Sequence, residues 1–146
     1  MSDADLMQLY SRRILGLTAS IPHQGRLEEA DGSASRRSPQ CGSTVQVDVA
    51  MADDRVKDFA QEVRACALGQ ASAAVLGGAV LGRTRDQIAA GRDALQAMLT
   101  DGAPAPSEPF AELEALLPAR DYPNRHASIL LAWDATLAAI DAARQA

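Results

Sequence analysis

The stretch Thr44-Val45-Gln46-Val47-Asp48-Val49-Ala50-Met51 alternates apolar and polar residues, and Ala52-Asp53-Asp54 then offers a turn. A period of two puts Val45, Val47, Val49 and Met51 on one face, which predicts a half-buried strand. Arg55 to Val63 predicts its partner, carrying Val56 and Phe59. Those two apolar residues are three apart, so the second strand requires a bulge or an irregular end. Both strands sit in a chain whose remainder reads as helix. The expected class is therefore α+β, a small antiparallel sheet of about three strands covered on one face by helices.

Upstream, Asp3 to about Ala19 predicts an amphipathic helix with Leu6, Tyr10, Ile14 and Leu17 on one face. From Ser20 to Gly42 the composition turns to Gly, Ser, Pro and Arg, with room for a short strand near Asp31 to Arg36. Downstream, Cys66 to about Leu81 predicts a small-residue helix. Gly77-Gly78 weakens it by about 1 kcal/mol per glycine, which close packing has to offset. Thr84-Arg85-Asp86-Gln87 has the capping-box form and opens a helix to about Thr100, with Ile88, Leu95 and Leu99 inside. Asp101 to Pro109 reads as a loop and Phe110 to Leu117 as a short helical segment. A last helix from about Arg125 buries Ile129, Leu130, Trp133, Leu137 and Ile140.

The 146 residues suggest a single domain spanning 1–146, long enough to fold without disulfides or metal. A formal net charge of −5 argues against a nucleic-acid binder, and Arg12-Arg13 and Arg36-Arg37 are only short basic pairs. Two cysteines are too few for a disulfide framework, and Met1-Ser2-Asp3-Ala4-Asp5 lacks a signal-peptide layout. No apolar run approaches the roughly 20 residues of a membrane span. The expectation is a soluble, cytoplasmic, acidic protein with no membrane or nucleic-acid partner. A hydrolase or transferase is the weakest reading, since no Ser-His-Asp grouping, Gly-rich phosphate loop or carboxylate pair stands out. The chain is expected not to be an enzyme.

The two cysteines fall at element edges, Cys41 in Ser38-Pro39-Gln40-Cys41-Gly42-Ser43 and Cys66 in Ala65-Cys66-Ala67-Leu68-Gly69-Gln70-Ala71-Ser72-Ala73-Ala74. The first resembles Asn-Pro-x-Cys-Gly-Asp and the second Gly-Cys-x-Ile-Ser-x-Ala-Ser-x-Ser. Gly82-Arg83-Thr84 is similar to a Gly-Lys-Thr helix entry. Pro123-Asn124-Arg125-His126-Ala127-Ser128-Ile129-Leu130-Leu131-Ala132-Trp133 fits Pro-x-Arg-x-x-Cys-x-x-Leu-x-Trp without a gap. In this order the motifs resemble the U-type iron–sulfur cluster assembly scaffolds (IscU, SufU and the NifU N-terminal domain), closest to the SufU branch.

That resemblance implies a SufE/NifU-like fold and a scaffold that receives sulfur from a cysteine desulfurase. It also implies a transient [2Fe-2S] cluster or zinc at the site and delivery to apo iron–sulfur acceptor proteins. The family offers three cysteines and an aspartate; here Ser43 stands at the aspartate position and Ser128 at the third cysteine in the SufU frame. Aligning His126-Ala127-Ser128 with the IscU-branch His-Cys-Ser puts Ala127 there instead. Cys41 and Cys66 are thus the candidate sulfur-accepting and metal-holding thiols, and His126 is the candidate third donor. Mixed Cys and His sets are chemically apt for zinc or iron. The bland reading of His126 is a helix-terminal residue meeting backbone or solvent. In the SufU register it lies two residues, some 200° of helix, from the lost ligand.

His23 is a minor candidate in a loop, and Arg125 is either a partner for anionic sulfur or a solvated arginine. Gly42 is read as giving backbone room beside Cys41, Trp133 as packing, and Ser72 as packing or bonding back within its own helix. Two rival functions use the same residues. One is a degenerate paralogue that binds no metal and docks on a desulfurase as regulator or sulfur relay. The other is a thiol-redox module using Cys41 and Cys66 as a reversible pair.

Overall fold

The alternating segment forms the central strand of the protein in a computed structural model that describes residues 10–39 and 42–145. Strands β1 (Gly32–Arg37), β2 (Thr44–Ala52) and β3 (Arg55–Arg64) make one antiparallel sheet in the order β1-β2-β3. Helices α1 (Arg12–Thr18), α2 (Ala67–Ala79), α3 (Arg85–Thr100) and α4 (His126–Gln145) complete the α+β architecture, with 3-10 segments at Ala111–Asp121 and Pro123–Arg125. Val45, Val47 and Val49 are buried toward the helices beside Phe59. Each such side chain contributes about 1.5–3 kcal/mol on burial. Asp53 and Asp54 turn the β2–β3 hairpin with φ of 53° and 62°. Two left-handed residues give the turn whose twist matches paired strands, and aspartate tolerates that region.

The expected irregularity lies on β3. Ala50 pairs with Asp58 and Met51 with Val56, so Lys57 is the extra residue. That bulge lets Val56 and Phe59 both face the core.

Asp48 points away from the helices and yet is only 1% exposed. The segment after α1 covers it. Residues 23–25 first pair with the free edge of β3, where the Gln61 N–H donates to the His23 carbonyl and the Gly25 N–H to that of Gln61. The chain then crosses the outer face toward β1. Arg26 grips Asp48 through Nε at 2.7 Å and Nη2 at 3.2 Å, while the Leu27 N–H and the Ser33 hydroxyl donate at 3.0 and 2.6 Å. Farther along the same edge the Val56 N–H donates to the Arg83 carbonyl and the Gly82 N–H to that of Val56. β3 is therefore sheltered by two segments, as exposed strand edges commonly are.

Several boundaries differ from the sequence reading. Helix α1 starts at Arg12, because Ser11 caps it by accepting from the Ile14 N–H at 3.3 Å, so the expected helix is not continuous through Ser11. The expected Leu6 contact and the stretch 3–9 lie outside the described residues. β1 forms at Gly32–Arg37 without an apolar alternation to announce it. The small-residue helix ends at Ala79, short of Leu81, and Cys66 is its N-cap. Of its glycine pair, Gly77 meets the expected close packing, a Cβ there lying 2.8 Å from Gln61 Nε2, whereas Gly78 faces open space. The capping box at Thr84–Gln87 is formed on both sides. The segment expected at Phe110–Leu117 is a longer 3-10 run, Ala111–Asp121, which contains Pro118. On α4, Leu137 is only half-buried while Ile129, Leu130, Trp133 and Ile140 are buried as expected. No described helix is long and apolar enough to cross a membrane.

Hydrogen bonds from Arg26, Ser33 and Leu27 outweigh desolvation and hold the Asp48 carboxyl down at about 2 from an ordinary 3.8. A depressed carboxylate pKa contributes stability that is complete above the unfolded value and is lost as pH falls toward the folded one. Asp48→Asn should therefore cost on the order of 1–3 kcal/mol at neutral pH. Urea unfolding of both proteins checks this: the gap should be full at pH 7 and should close as pH falls from about 4 to about 2. A gap independent of pH would remove Asp48 as the pin.

Candidate functional site

The register Arg37–Thr44–Arg64 places the end of β1, the start of β2 and the end of β3 in one row. The Ser38–Ser43 loop and the Ala65-Cys66 connection consequently leave from the same end of the sheet. The loop is closed at its base, where the Ser38 N–H donates to the Ser43 carbonyl and the Gly42 N–H to that of Ser38, both at 2.8 Å. Gly42 has a φ of +71° and a Cβ there would meet nothing within 4 Å. Its left-handed backbone by itself calls for glycine. Cys41, its chain neighbour, lies outside the described residues.

Cys66 is a free, half-buried cysteine directly ahead of α2. Gln70 reaches back across the first turn, its Nε2 donating to the Ala65 carbonyl at 2.9 Å, and so fixes the approach to Cys66. The start of α4 arrives from the other side. Ser128 Oγ lies 3.5 Å from Cys66 Sγ and 3.2 Å from Ser43 Oγ. Ser43 and Ser128 are 4% and 2% exposed, so a chain of two hydroxyls leads from the β1–β2 loop to the thiol inside the protein. Gly69 makes this fit: a Cβ there would sit 2.7 Å from Ser128 Oγ and 2.8 Å from the Ala65 Cβ.

His126 opens α4 half-buried, and its Nε2 lies 2.9 Å from the Ala119 carbonyl. A carbonyl only accepts, so Nε2 is the donor of this contact, and in the neutral ring the free lone pair is then on Nδ1. Metal-binding histidines are commonly oriented by such a backbone contact. Arg125 is half-buried, its side chain makes no hydrogen bond or ion pair among the described residues, and its N–H donates to the Tyr122 carbonyl. His23 is not brought to this end of the sheet. It is exposed and packs edge-on against Phe59, ring centroids 6.0 Å apart, five residues before the end of β3.

Ser72 is buried in packing, one of the two roles expected of it, and it bonds between helices and not within its own. Its hydroxyl donates to the Ile129 carbonyl at 2.6 Å and accepts from Trp133 Nε1 at 3.0 Å. Trp133 in turn stacks edge-to-face on Phe110 at 4.9 Å. Gly69 and Ser72, three residues apart on α2, thus form the face that α4 packs on.

Tetrahedral zinc with oxygen and sulfur donors separates its ligands by roughly 3.3–3.8 Å. The Ser43–Ser128 and Cys66–Ser128 distances are close to that range, but two of the three groups are neutral hydroxyls. Among the described residues, no three His, Cys, Asp or Glu side chains are grouped to hold a metal ion. The sequence reading missed Gln70, Gly69 and the Ser43–Ser128 bond. The last joins residues 85 apart, for which local pattern has no signal.

Over residues 9–144 the chain matches the family described as the NifU-like N terminal domain. It is 24% identical over 140 residues to the iron-sulfur cluster assembly scaffold protein IscU of Streptococcus pyogenes serotype M1, covering 96% of this chain and 87% of that protein. Among solved structures it resembles the N-terminal part of a nitrogen-fixing NifU-like protein from Brucella abortus. That match has a TM-score of 0.93 and 43% identity over 97% of this chain and 98% of that one. The fold is shared with a SufU scaffold from Fervidobacterium islandicum AW-1, at a TM-score of 0.82 and 22% identity over 92% and 98% of the two chains.

Ser72→Ala should leave the buried Trp133 N–H without an acceptor and cost on the order of 1–3 kcal/mol. Gly69→Ala should cost a similar amount by overpacking against Ser128. Urea unfolding followed by circular dichroism reads both, and a loss under about 0.5 kcal/mol in either would show that the α2–α4 joint relaxes freely.

Proposed function

The chain belongs to the NifU-like N-terminal domain family of iron–sulfur cluster assembly scaffolds, and from that premise we propose that it takes sulfur from a cysteine desulfurase on Cys66 and Cys41. The observation that supports this reading is Cys66, half-buried at the N-cap of α2 and hydrogen-bonded to Ser128. The Cys66 sulfur attacks the terminal sulfur of a persulfide on the donor. The donor's S–S bond breaks, its cysteine leaves as thiolate and takes up the proton that Cys66 releases, and Cys66 becomes the persulfide. One sulfur atom moves without net oxidation.

Iron, or zinc in its place, is cargo at the same thiols. Cys41, Cys66 and His126 Nδ1 are the donors of this chain, and a nascent [2Fe-2S] cluster draws its remaining ligand from outside before it passes to an apo acceptor protein. The setting is the cytoplasm, where both thiols stay reduced. A second reading, a sulfur relay that docks on the desulfurase and carries no metal, is favoured by the hydroxyls at Ser43 and Ser128.

Incubation with a cysteine desulfurase and cysteine, followed by intact-mass measurement, tests sulfur acceptance. The wild type should gain one-sulfur increments, Cys66→Ser should lose most of them, and the double variant with Cys41→Ser should gain none. Increments that persist in the double variant would sink the proposal. Zinc titration of wild type, Cys41→Ala, Cys66→Ala and His126→Ala separates the two readings. Binding weakened in all three variants supports metal cargo, and no binding in the wild type leaves the relay.

A further inference from the structure

We infer that Ser43 and Ser128 determine what the site retains: their paired hydroxyls reserve Cys66 for bound sulfur and leave metal only loosely held. This rests on the reading of Cys66 as a sulfur acceptor and specifies what that site selects.

Three observations carry it. Ser128 Oγ contacts both Cys66 Sγ at 3.5 Å and Ser43 Oγ at 3.2 Å, so it spans the space where further donors to a shared ion would stand. Both serines are almost wholly buried, and a buried hydroxyl that keeps its hydrogen bonds avoids a desolvation cost. Gly69 supplies the pocket for Ser128 Oγ, which any side chain at that position would crowd. The hydroxyl is thus held at the sulfur by packing as well as by bonding.

The chemistry of the pair then decides between cargoes. An anionic sulfur only accepts hydrogen bonds, so with such a sulfur on Cys66 the Ser128 hydroxyl donates to it and Ser43 donates to Ser128. Bonds of this kind to a charged acceptor are stronger than neutral ones. A metal ion gains nothing comparable. Protein zinc sites are built from thiolate, imidazole and carboxylate donors, and to ligate here the serines would have to give up their mutual bond while remaining neutral. Ser43 and Ser128 act through Cys66 and are positioning residues.

The test compares wild type, Ser128→Cys, Ser43→Asp/Ser128→Cys and Ser128→Ala, each checked for a cooperative thermal melt. Zinc affinity is measured by competition with a chelator. Sulfur retention is measured as the lifetime of the one-sulfur increment on Cys66 after loading with inorganic polysulfide. The double variant should bind zinc about a hundredfold or more tightly than wild type, with Ser128→Cys between them. Ser128→Ala should shorten the persulfide lifetime at least about threefold while leaving zinc affinity within about twofold. Wild type holding zinc as tightly as the double variant, or a folded double variant with no gain, would overturn the inference. So would an unchanged persulfide lifetime in Ser128→Ala. Should the double variant fail to fold, Ser128→Cys, which differs from wild type by one atom, gives the same zinc comparison. A wild type that takes up no sulfur from polysulfide or desulfurase would instead overturn the acceptor reading, and the zinc comparison would still be read.

Discussion

Helix α4 can lie where it does only because three separate elements present a glycine to it. A Cβ at Gly32 on β1 would fall 2.2 Å from the Ala139 carbonyl and 2.4 Å from the Ala143 nitrogen. One at Gly69 on α2 would press on Ser128, and one at Gly91 on α3 would meet Phe110 at 2.8 Å and Trp133 at 3.0 Å. Protein interiors are packed densely enough that such contacts are not absorbed by slack. The close approach sets the distance from α4 to the sheet at one end and to α2 at the other. The meeting of Ser128, Cys66 and Ser43 depends on both distances, so the site inherits its geometry from packing well away from it.

What the sequence made legible was whatever a few neighbouring residues decide together. The valine alternation of β2, the Asp53-Asp54 turn and the Thr84–Gln87 capping box are local agreements between pattern and backbone, and each is present in the structure. The spacing of Val56 and Phe59 implied a bulge or an irregular end, and the bulge is found at Lys57. β1 was nearly silent because Gly-Ser-Ala-Ser-Arg-Arg has no apolar face of its own. It is a strand because β2 pairs with it and α4 packs on Gly32. The 3-10 run at Ala111–Asp121 continues past the expected end at Leu117 and contains Pro118, which a proline-averse α-helix would not.

The site divides along the same line. The cysteines, the histidine and the two serines were singled out from motifs, but nothing in those motifs says that Ser43 and Ser128 bond to each other. That fact belongs to the three-dimensional convergence of a loop, a helix N-terminus and a second helix. His126 shows the reverse: its contact with the Ala119 carbonyl makes Nε2 a donor, a choice that no sequence records. The outer face of the sheet has its own organisation. Asp48 is buried there by a crossing segment and not by the core, which is why a strand residue that looked solvent-facing is among the least exposed.

The Trp133 contact has an optical consequence. The chain contains a single tryptophan. Its indole N–H rests on Ser72 of α2 while its backbone belongs to α4, five residues beyond Ser128. Intrinsic emission excited at the red edge of protein absorbance therefore arises from one place, the seam between these helices. The wavelength and quenching of that emission follow the hydration of the seam alone, so a light signal native to the chain reports how firmly the two walls of the site are held together.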